Sequence, residues 1–350
     1  MAVPFLMAAL EDFGAMIEAR PGENPSIASH ALTRRKARAA LAGEHGVMPA
    51  TLDTDPAQPD RRRDASPCDV AGATPGMPIE RRRPCDRRAM FGADAYAPTE
   101  VASRVRDLGV AKARLPWATQ AMLGVLAGAF VGFGALMFTL VASDASLGFA
   151  VSRLLGGLAF SLGLLLVMVA GAELFTGNHL IAMAWASGEV SGAELLRNWV
   201  VVCLANLVGA AGLALLVFWS GHASMNGGAV AAASIRIATA KAEAPIGELF
   251  FRGVLCNVLV CMAAWMAMAG RSVADKAVAI VFPITAFVAA GFEHSIANMY
   301  FFPLAMLLGA PLSPLDLLRN LGPVIAGNLV GGSVLVALVY WTIYLRPQRP

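Results

Sequence analysis

The chain has 350 residues, of which 57% are hydrophobic and only 15% are charged, and its mean hydropathy is +0.62. This composition is too apolar for a soluble domain. The formal net charge of +3 carries little information, and we expect no nucleic-acid partner. The apolar residues fall into blocks of about 20, the length at which a helix spans a bilayer. The sequence therefore predicts an integral membrane protein.

Residues 1–90 differ from the rest of the chain. They contain arginine triplets at 61–63 and 81–83, many Pro, Ala and Asp residues, and little apolar periodicity. Such a segment cannot bury enough surface to offset its ordering entropy, so we expect a disordered, basic, Pro-rich extension. A basic arm that touches anionic lipid or nucleic acid is an alternative. Met90 stands just before more regular sequence, and a mis-assigned start codon is a further expectation for this region.

Residues 91–118 contain a predicted amphipathic helix before the first span. Pro98, Thr99 and Glu100 suit a helix start. The helix carries four basic residues, Arg104, Arg106, Lys112 and Arg114. Because basic residues next to membrane spans favour the cytoplasm, we expect both termini there, in the inner membrane of a bacterium.

Residues 119–346 form the predicted six-helix transmembrane domain. The six apolar blocks are 119–142, 150–184, 198–220, 250–269, 276–308 and 321–345. The second and fifth blocks are too long for one simple span, and each contains a polar octapeptide: GAELFTGN at 171–178 and GFEHSIAN at 291–298. We therefore predict that the second and fifth helices are broken.

The domain is internally duplicated. Residues 195–219 and 317–341 both fit the pattern LLRN-x7-NLVG-x9-W, which places the repeats at about 119–220 and 250–345. Three spans in each copy invert the second copy, so the predicted fold is all-α with an inverted 3+3 repeat. The NLVG segments are explained by packing, and the glycines expected to allow close approach are Gly209, Gly212, Gly331 and Gly332. Packing alone does not explain the polar residues inside the spans.

Three ionisable residues lie within the predicted spans: Glu173, Glu293 and His294. Such groups are costly in hydrocarbon and usually face a cavity or a partner. His294 is a candidate proton carrier, and the alternative is a core histidine bonded to Glu293 or a carbonyl. Both glutamates are expected to hold the broken backbone. Thr176 and Asn257 offer neutral hydrogen bonds, either to a substrate or as helix caps and interhelical contacts.

These residues resemble the formate/nitrite transporter family. The resemblance covers about residues 91–346, and the segments that carry it are GAELFTGN, RGVLCNVLVCMAAW (252–265), FPITAFVAAGFEHSIANMYFFPL (282–304) and the closing GNLVGG and YW. It implies an aquaporin-like fold and a homopentamer with one pore in each protomer. The sequence TGN replaces the TSS or TGH of some members, which leaves the preferred substrate open.

The resemblance also implies roles for individual residues. His294 corresponds to the central pore histidine, Thr176 to the mobile loop threonine, and Asn257 to the asparagine that faces them. One apolar constriction is expected from Phe160 and Leu164, with Phe175 nearby, and a second from Phe287. Lys241, in a loop with few residues that anchor the alignment to the family, corresponds to the cation of the outer vestibule. The residues expected to support the broken helices are Glu173, Asn178, Glu293 and Asn298.

The resemblance implies transport of formate, either channel-like or coupled to a proton through His294, with no metal or other cofactor and no enzymatic activity. Nitrite is the first alternative, and hydrosulfide, lactate and acetate belong to the same class. A water or glycerol channel lacks support because paired Asn-Pro-Ala motifs are absent. An intramembrane hydrolase would need Ser295 and His294, but no GxSxG elbow is present.

Overall fold

The computed structural model describes residues 95–346. The predicted disordered extension at 1–90, and the alternative start at Met90, lie outside these residues. Ten α-helices follow one another within the described part of the chain. They are α1 (Pro98–Ala113), α2 (Trp117–Ala142), α3 (Phe149–Ala170), α4 (Ala182–Ala186), α5 (Gly192–Trp219), α6 (Ala229–Glu243), α7 (Ile246–Ala269), α8 (Val273–Ala290), α9 (Ser295–Leu307) and α10 (Pro314–Tyr344).

Six of these helices, α2, α3, α5, α7, α8 and α10, are long and apolar enough to cross a membrane. Their most apolar 18-residue windows have mean hydropathies between 1.8 and 2.5. The predicted all-α class and the six membrane spans are therefore confirmed. The last span, α10, contains a π-helical stretch over Val330–Leu338.

Two of the spans are interrupted where the octapeptides occur. The helix α3 ends at Gly171, whose φ is +78°, and α8 ends at Gly291, whose φ is +77°. Glycine adopts this left-handed conformation without steric cost, which explains the glycine at position one of each octapeptide. The chain then resumes as a 3₁₀ helix over Gly177–Ile181 followed by α4, or as α9. The prediction that the second and fifth helices are broken is confirmed.

The two halves of the domain repeat the same packing. The helix α2 packs along α5, α7 packs along α10, and the two broken helices pack against each other through α3 and α8. Matching capping boxes start the third helix of each half: Ser191 with Glu194 at α5, and Ser313 with Asp316 at α10.

Each half also begins with a shorter helix, α1 or α6. Only α1 was predicted from the sequence, and Lys241 was expected in a loop, whereas the structure places Lys241 in the last turn of α6. The Ala-rich segment 229–243 favours a helix by intrinsic propensity, although it lacks a clear apolar face. The repeat units therefore extend over residues 98–219 and 229–344, each about 20 residues longer at its start than expected from the apolar blocks.

Glycines allow the paired helices to approach closely. A Cβ atom built on Gly209 would lie 1.9 Å from the carbonyl oxygen of Val125, and one on Gly331 would lie 2.2 Å from that of Val254. Gly332 is equally confined, because its Cβ would lie 2.3 Å from Nδ2 of Asn257. The expectation for Gly212 was wrong: a Cβ there would meet nothing within 4 Å. Gly212 lies on a face of α5 that no other described helix covers.

We predict that Gly209→Ala destabilises the protein, because its methyl group cannot fit without separating α2 from α5. Overpacking of this kind costs about 1–3 kcal/mol or more. Gly212→Ala is the matched control on the same helix and should leave the thermal unfolding midpoint of the detergent-solubilised protein unchanged. Equal midpoints for the two variants would contradict the packing described here.

Candidate functional site at the two helix breaks

A single buried side chain holds the first helix break. Asn206, on α5, accepts a hydrogen bond from the backbone N–H of Phe175 at 2.9 Å. Its amide nitrogen donates to the carbonyl oxygens of Gly124 at 2.7 Å and Glu173 at 2.9 Å. Unpaired backbone groups are not tolerated in hydrocarbon, so Asn206 replaces the hydrogen bonds that the interrupted helix has lost.

Asn328, on α10, holds the second break in the same way. It accepts from the backbone N–H of Ser295 at 3.1 Å and donates to the carbonyl oxygens of Gly253 at 2.8 Å and Glu293 at 3.0 Å. Both asparagines are fully buried. They are the asparagines of the two NLVG segments, which the sequence analysis attributed to packing alone. That interpretation was wrong for these two residues, although the glycines that follow them do serve packing.

An ion pair stabilises the polar end of the first break. Glu173 is buried, and its carboxylate lies 2.9 Å from Nζ of Lys112 on α1. Asn178 donates to the same carboxylate at 2.6 Å and to Oδ1 of Asn198 at 3.0 Å. Lys112 was considered above only as a basic residue that favours the cytoplasmic side, and no role was predicted for Asn198. The glutamate of the octapeptide is thus held by α1 and by its own Asn178.

The second break has the equivalent ion pair. Nζ of Lys241, on α6, lies 2.9 Å and 2.8 Å from the two carboxylate oxygens of the buried Glu293. Asn298 donates to this carboxylate at 2.7 Å and to Oδ1 of Asn320 at 2.7 Å. Lys241 was expected to be the cation of the outer vestibule that attracts the anion. Within the structure its charge is neutralised by Glu293, and its side chain is only 17% exposed.

The two breaks meet at Thr176 and His294. The threonine Oγ1 lies 3.1 Å from Nε2 of His294, and both side chains are buried. The other ring nitrogen, Nδ1, accepts the backbone N–H of Ala297 at 3.2 Å and caps α9. A neutral ring with an accepting Nδ1 carries its proton on Nε2, so His294 donates to Thr176. Both ring nitrogens are occupied by these partners, so His294 does not activate Ser295 as a hydrolase would require.

The hydrogen bonds of Asn257 join it to partners other than the expected ones. It was predicted to face His294 and Thr176, but its Nδ2 contacts Nδ1 of His179 at 2.6 Å and donates to the carbonyl oxygen of Asn328 at 2.6 Å. His179, which is fully buried, was not among the predicted site residues. It directly follows the octapeptide GAELFTGN, and an ionisable residue inside an apolar block was the signal that could have identified it.

Two cavities approach the junction from opposite sides. The first, which we call the α6 cavity, has a volume of about 290 Å³ and is lined by Phe160, Phe287, His294 and Lys241 among others. The second, the α1 cavity, has a volume of about 380 Å³ and is lined by Leu164, Leu174, Glu173 and Lys112 among others. Opposite ends of α3 line the two cavities, Arg153 and Phe160 the first and Leu164 and Gly171 the second, and His294 lines the first.

The apolar residues between the cavities are grouped differently from the expectation. Phe160 was assigned with Leu164 to one constriction and Phe287 to the other. The rings of Phe160 and Phe287 instead pack edge to face with centroids 5.7 Å apart, and both line the α6 cavity. Leu164 lies one helical turn further along α3 and lines the α1 cavity. Phe175 is buried against the ring of His179, with centroids 4.6 Å apart.

Six membrane spans, two of them broken around a polar junction between opposed cavities, define a channel or transporter for a small solute. A model of the formate/nitrite transporter family matches residues 99–342, and the chain belongs to this family. The prediction of a transporter rather than an enzyme is therefore confirmed.

The chain is similar to curated proteins that are named as formate channels or transporters. The chain is 37% identical over 273 residues to the formate channel FocA of Escherichia coli (strain K12), an alignment that covers 72% of this chain and 96% of that protein. It is 36% identical over 273 residues to a probable formate transporter of Methanothermobacter thermautotrophicus, covering 73% of this chain and 100% of that protein.

The fold is similar to the folds of solved structures. A pentameric formate channel with formate bound is similar with a TM-score of 0.61 and 37% identity, covering 66% of this chain and 98% of that one. An FNT family ion channel is similar with a TM-score of 0.65 and 32% identity, covering 70% of this chain and 99% of that one.

We predict that Lys241→Met destabilises the protein by about 3–5 kcal/mol, because it leaves the buried carboxylate of Glu293 without a cation. The double variant Lys241→Met/Glu293→Gln should recover much of this loss. Arg252→Met is the control, since Arg252 pairs with the exposed Glu248 and such pairs contribute about 0–1 kcal/mol. The measurement is chemical or thermal unfolding in detergent. A purely kinetic effect of Lys241→Met, with parental stability, would instead indicate a free cation in the vestibule.

Proposed function

We propose that the chain transports formate, a small monovalent weak-acid anion, through a pore that links the α6 cavity to the α1 cavity. The observation that carries this proposal is the Thr176–His294 pair, which joins the two helix breaks and leaves hydrogen-bonding groups inside an apolar surrounding. The relatives named as formate channels and transporters support the choice of substrate.

The junction suits an anion that accepts hydrogen bonds. His294 donates its Nε2 proton to Thr176, so the threonine hydroxyl keeps its own proton for another acceptor. A carboxylate oxygen that reaches Thr176 receives that proton in a hydrogen bond. The carboxylates of Glu173 and Glu293 do not repel the anion strongly, because each is neutralised by a lysine. In the proposed role, Thr176 and His294 bind the substrate and the two glutamates support the breaks.

Proton coupling would proceed through a second proton on His294. The neutral ring cannot give up its Nε2 proton readily, so the histidine first takes a proton on Nδ1 and loses the hydrogen bond from Ala297. The cationic ring then protonates formate, directly or through Thr176, and returns to the neutral form. Formic acid crosses as a neutral molecule, and the transport of anion plus proton is electroneutral.

The apolar walls favour the neutral substrate. Phe160 and Phe287 on one side, and Leu164 on the other, offer no hydrogen bonds to a hydrated ion. An anion that enters this region loses water, and desolvation raises the pKa of a carboxylic acid. Formate is therefore most easily protonated between these apolar walls, whereas hydrated inorganic cations are excluded. At higher pH, with His294 neutral, the same pore would conduct formate in a channel-like manner.

We further propose a homopentamer with one pore in each protomer, located in the inner membrane of a bacterium with both termini in the cytoplasm. The similar pentameric formate channel supports the oligomeric state. The basic residues of α1 and Arg346 support the orientation. Exposed apolar residues such as Trp117, Phe149 and Phe282 suit contact with lipid or with neighbouring protomers.

Nitrite is the alternative substrate, since it is also small, planar, singly charged and a weak acid, and the family description includes it. Hydrosulfide is a further candidate of the same charge. The first experiment is therefore uptake of labelled formate into proteoliposomes, with nitrite and hydrosulfide as competitors. Measurements at about pH 5.5 and 7.5 lie on either side of the ordinary pKa of histidine. Protein-free liposomes correct for formic acid that crosses the lipid unaided.

We predict strong formate uptake that rises at acid pH and is only weakly inhibited by nitrite. His294→Phe should abolish the rise and lower uptake at pH 5.5 by about tenfold or more, which corresponds to about 1.4 kcal/mol in the barrier. His222→Phe, in the turn before α6, is the control and should behave as the parent. Poor formate uptake with strong nitrite uptake would reassign the substrate. Equal uptake by His294→Phe and the parent at both pH values would exclude the proposed role of His294.

A further inference from the structure

The charges around the α6 cavity are not balanced. Four cationic side chains line it: Arg153, Arg236, Lys241 and Arg252. Lys241 is neutralised by Glu293, and Arg252 by Glu248. No carboxylate within residues 95–346 lies within 4.0 Å of Arg153, which is half-buried on α3. The cavity therefore contains a partly desolvated cation without a compensating anion.

The guanidinium of Arg153 is held in place from one side. Its Nε donates to the carbonyl oxygen of Ala289 at 3.0 Å, in the last turn of α8. Gly291 leaves the space that the guanidinium occupies, because a Cβ atom there would lie 2.6 Å from Nη2. Neither Nη atom has a hydrogen-bond partner in the described part of the chain. Arg153 is thus oriented by the helix break while its two terminal nitrogens keep their donors.

From this arrangement we infer that Arg153 is the anion-binding residue of the α6 cavity, and that its ligand is a small planar oxyanion with two oxygens on one atom. This inference rests on the proposed function and narrows its substrate class to ions of the shape of formate and nitrite. Two parallel N–H donors of a guanidinium match two such oxygens one to one, whereas chloride or the sulfur of hydrosulfide offers a single acceptor atom that both donors must share.

The surroundings favour Arg153 over Lys241 as the anion-binding residue. The α6 cavity also contains Phe160, Phe287 and His294, so an anion on Arg153 would lie in the same cavity as the junction. A cavity with low-dielectric walls and a net charge of one sign concentrates ions of the opposite sign. The Lys241–Glu293 pair has no net charge and contributes little to this attraction. Arg236 lines the same cavity but is exposed to solvent, where its charge is screened.

The experiment measures formate flux into proteoliposomes as a function of formate concentration and of ionic strength. Arg153→Gln should raise the half-saturating concentration about five- to tenfold, leave the maximal flux within about twofold, and weaken the dependence on salt. Arg153→Lys keeps the charge but not the paired donors. It should restore the salt dependence and only part of the affinity, and it should lose preference for formate over hydrosulfide in competition. Arg236→Gln is the control and should match the parent.

A half-saturating concentration that is unchanged in Arg153→Gln, or raised equally in Arg236→Gln, would overturn the inference while the proposed function stands. If Arg153→Gln does not assemble, Arg153→Lys decides the question, because parental affinity and selectivity in that variant would exclude a role for the paired donors. A parent protein that carries neither formate nor nitrite would overturn the proposed function, and this inference with it.

Discussion

The structure depends on one constraint, which is that backbone polar groups inside a membrane must find partners within the protein. Two helices break near the centre of this bundle, and each break would leave N–H and C=O groups in hydrocarbon. Asn206 and Asn328 supply these partners, each with one acceptor and two donors in use. An asparagine amide is suited to this task because one small neutral group offers both kinds of hydrogen bond. The breaks can then expose Thr176 and His294 to a pathway without unfolding the bundle.

The ionic groups follow the same twofold arrangement but contribute differently. Lys112 with Glu173, and Lys241 with Glu293, join the first helix of each half to the break in that half. Each buried carboxylate has a cation and an asparagine as partners, so the ion pair that fixes each break has no net charge. The two positions that form the junction differ between the halves. His294 in the second octapeptide corresponds to Leu174 in the first, and Thr176 in the first corresponds to Ile296 in the second. Substrate handling therefore lies in the departures from symmetry, and structural support lies in the residues that repeat.

Much of this could be predicted from the sequence because hydrophobicity and repetition are visible in it. Blocks of about 20 apolar residues gave the six spans, and two polar octapeptides gave the two breaks. The functions of Asn206 and Asn328 could not be predicted, since the groups they bind belong to helices far away in the chain. His179 was missed for a similar reason, because its partner Asn257 lies 78 residues away. The helix α6 was missed because its Ala-rich sequence has no clear apolar face. The grouping of Phe160 with Phe287 could not be predicted because it depends on how α3 and α8 pack.

The central claim is that buried asparagines hold the breaks open, and it is tested most directly by Asn206→Asp. This change keeps the shape of the side chain but replaces the donor to Gly124 and Glu173 with an acceptor. Gly124 lies within α2 and keeps its helical hydrogen bond, so the carbonyl oxygen left without a donor is that of Glu173, and an unsatisfied buried carbonyl group costs about 1–3 kcal/mol. The measurement is thermal unfolding together with formate flux, with Asn226→Asp at an exposed left-handed position as the control. We predict that Asn206→Asp lowers both the unfolding midpoint and the flux while the control lowers neither. Parental stability and flux in Asn206→Asp would contradict the account.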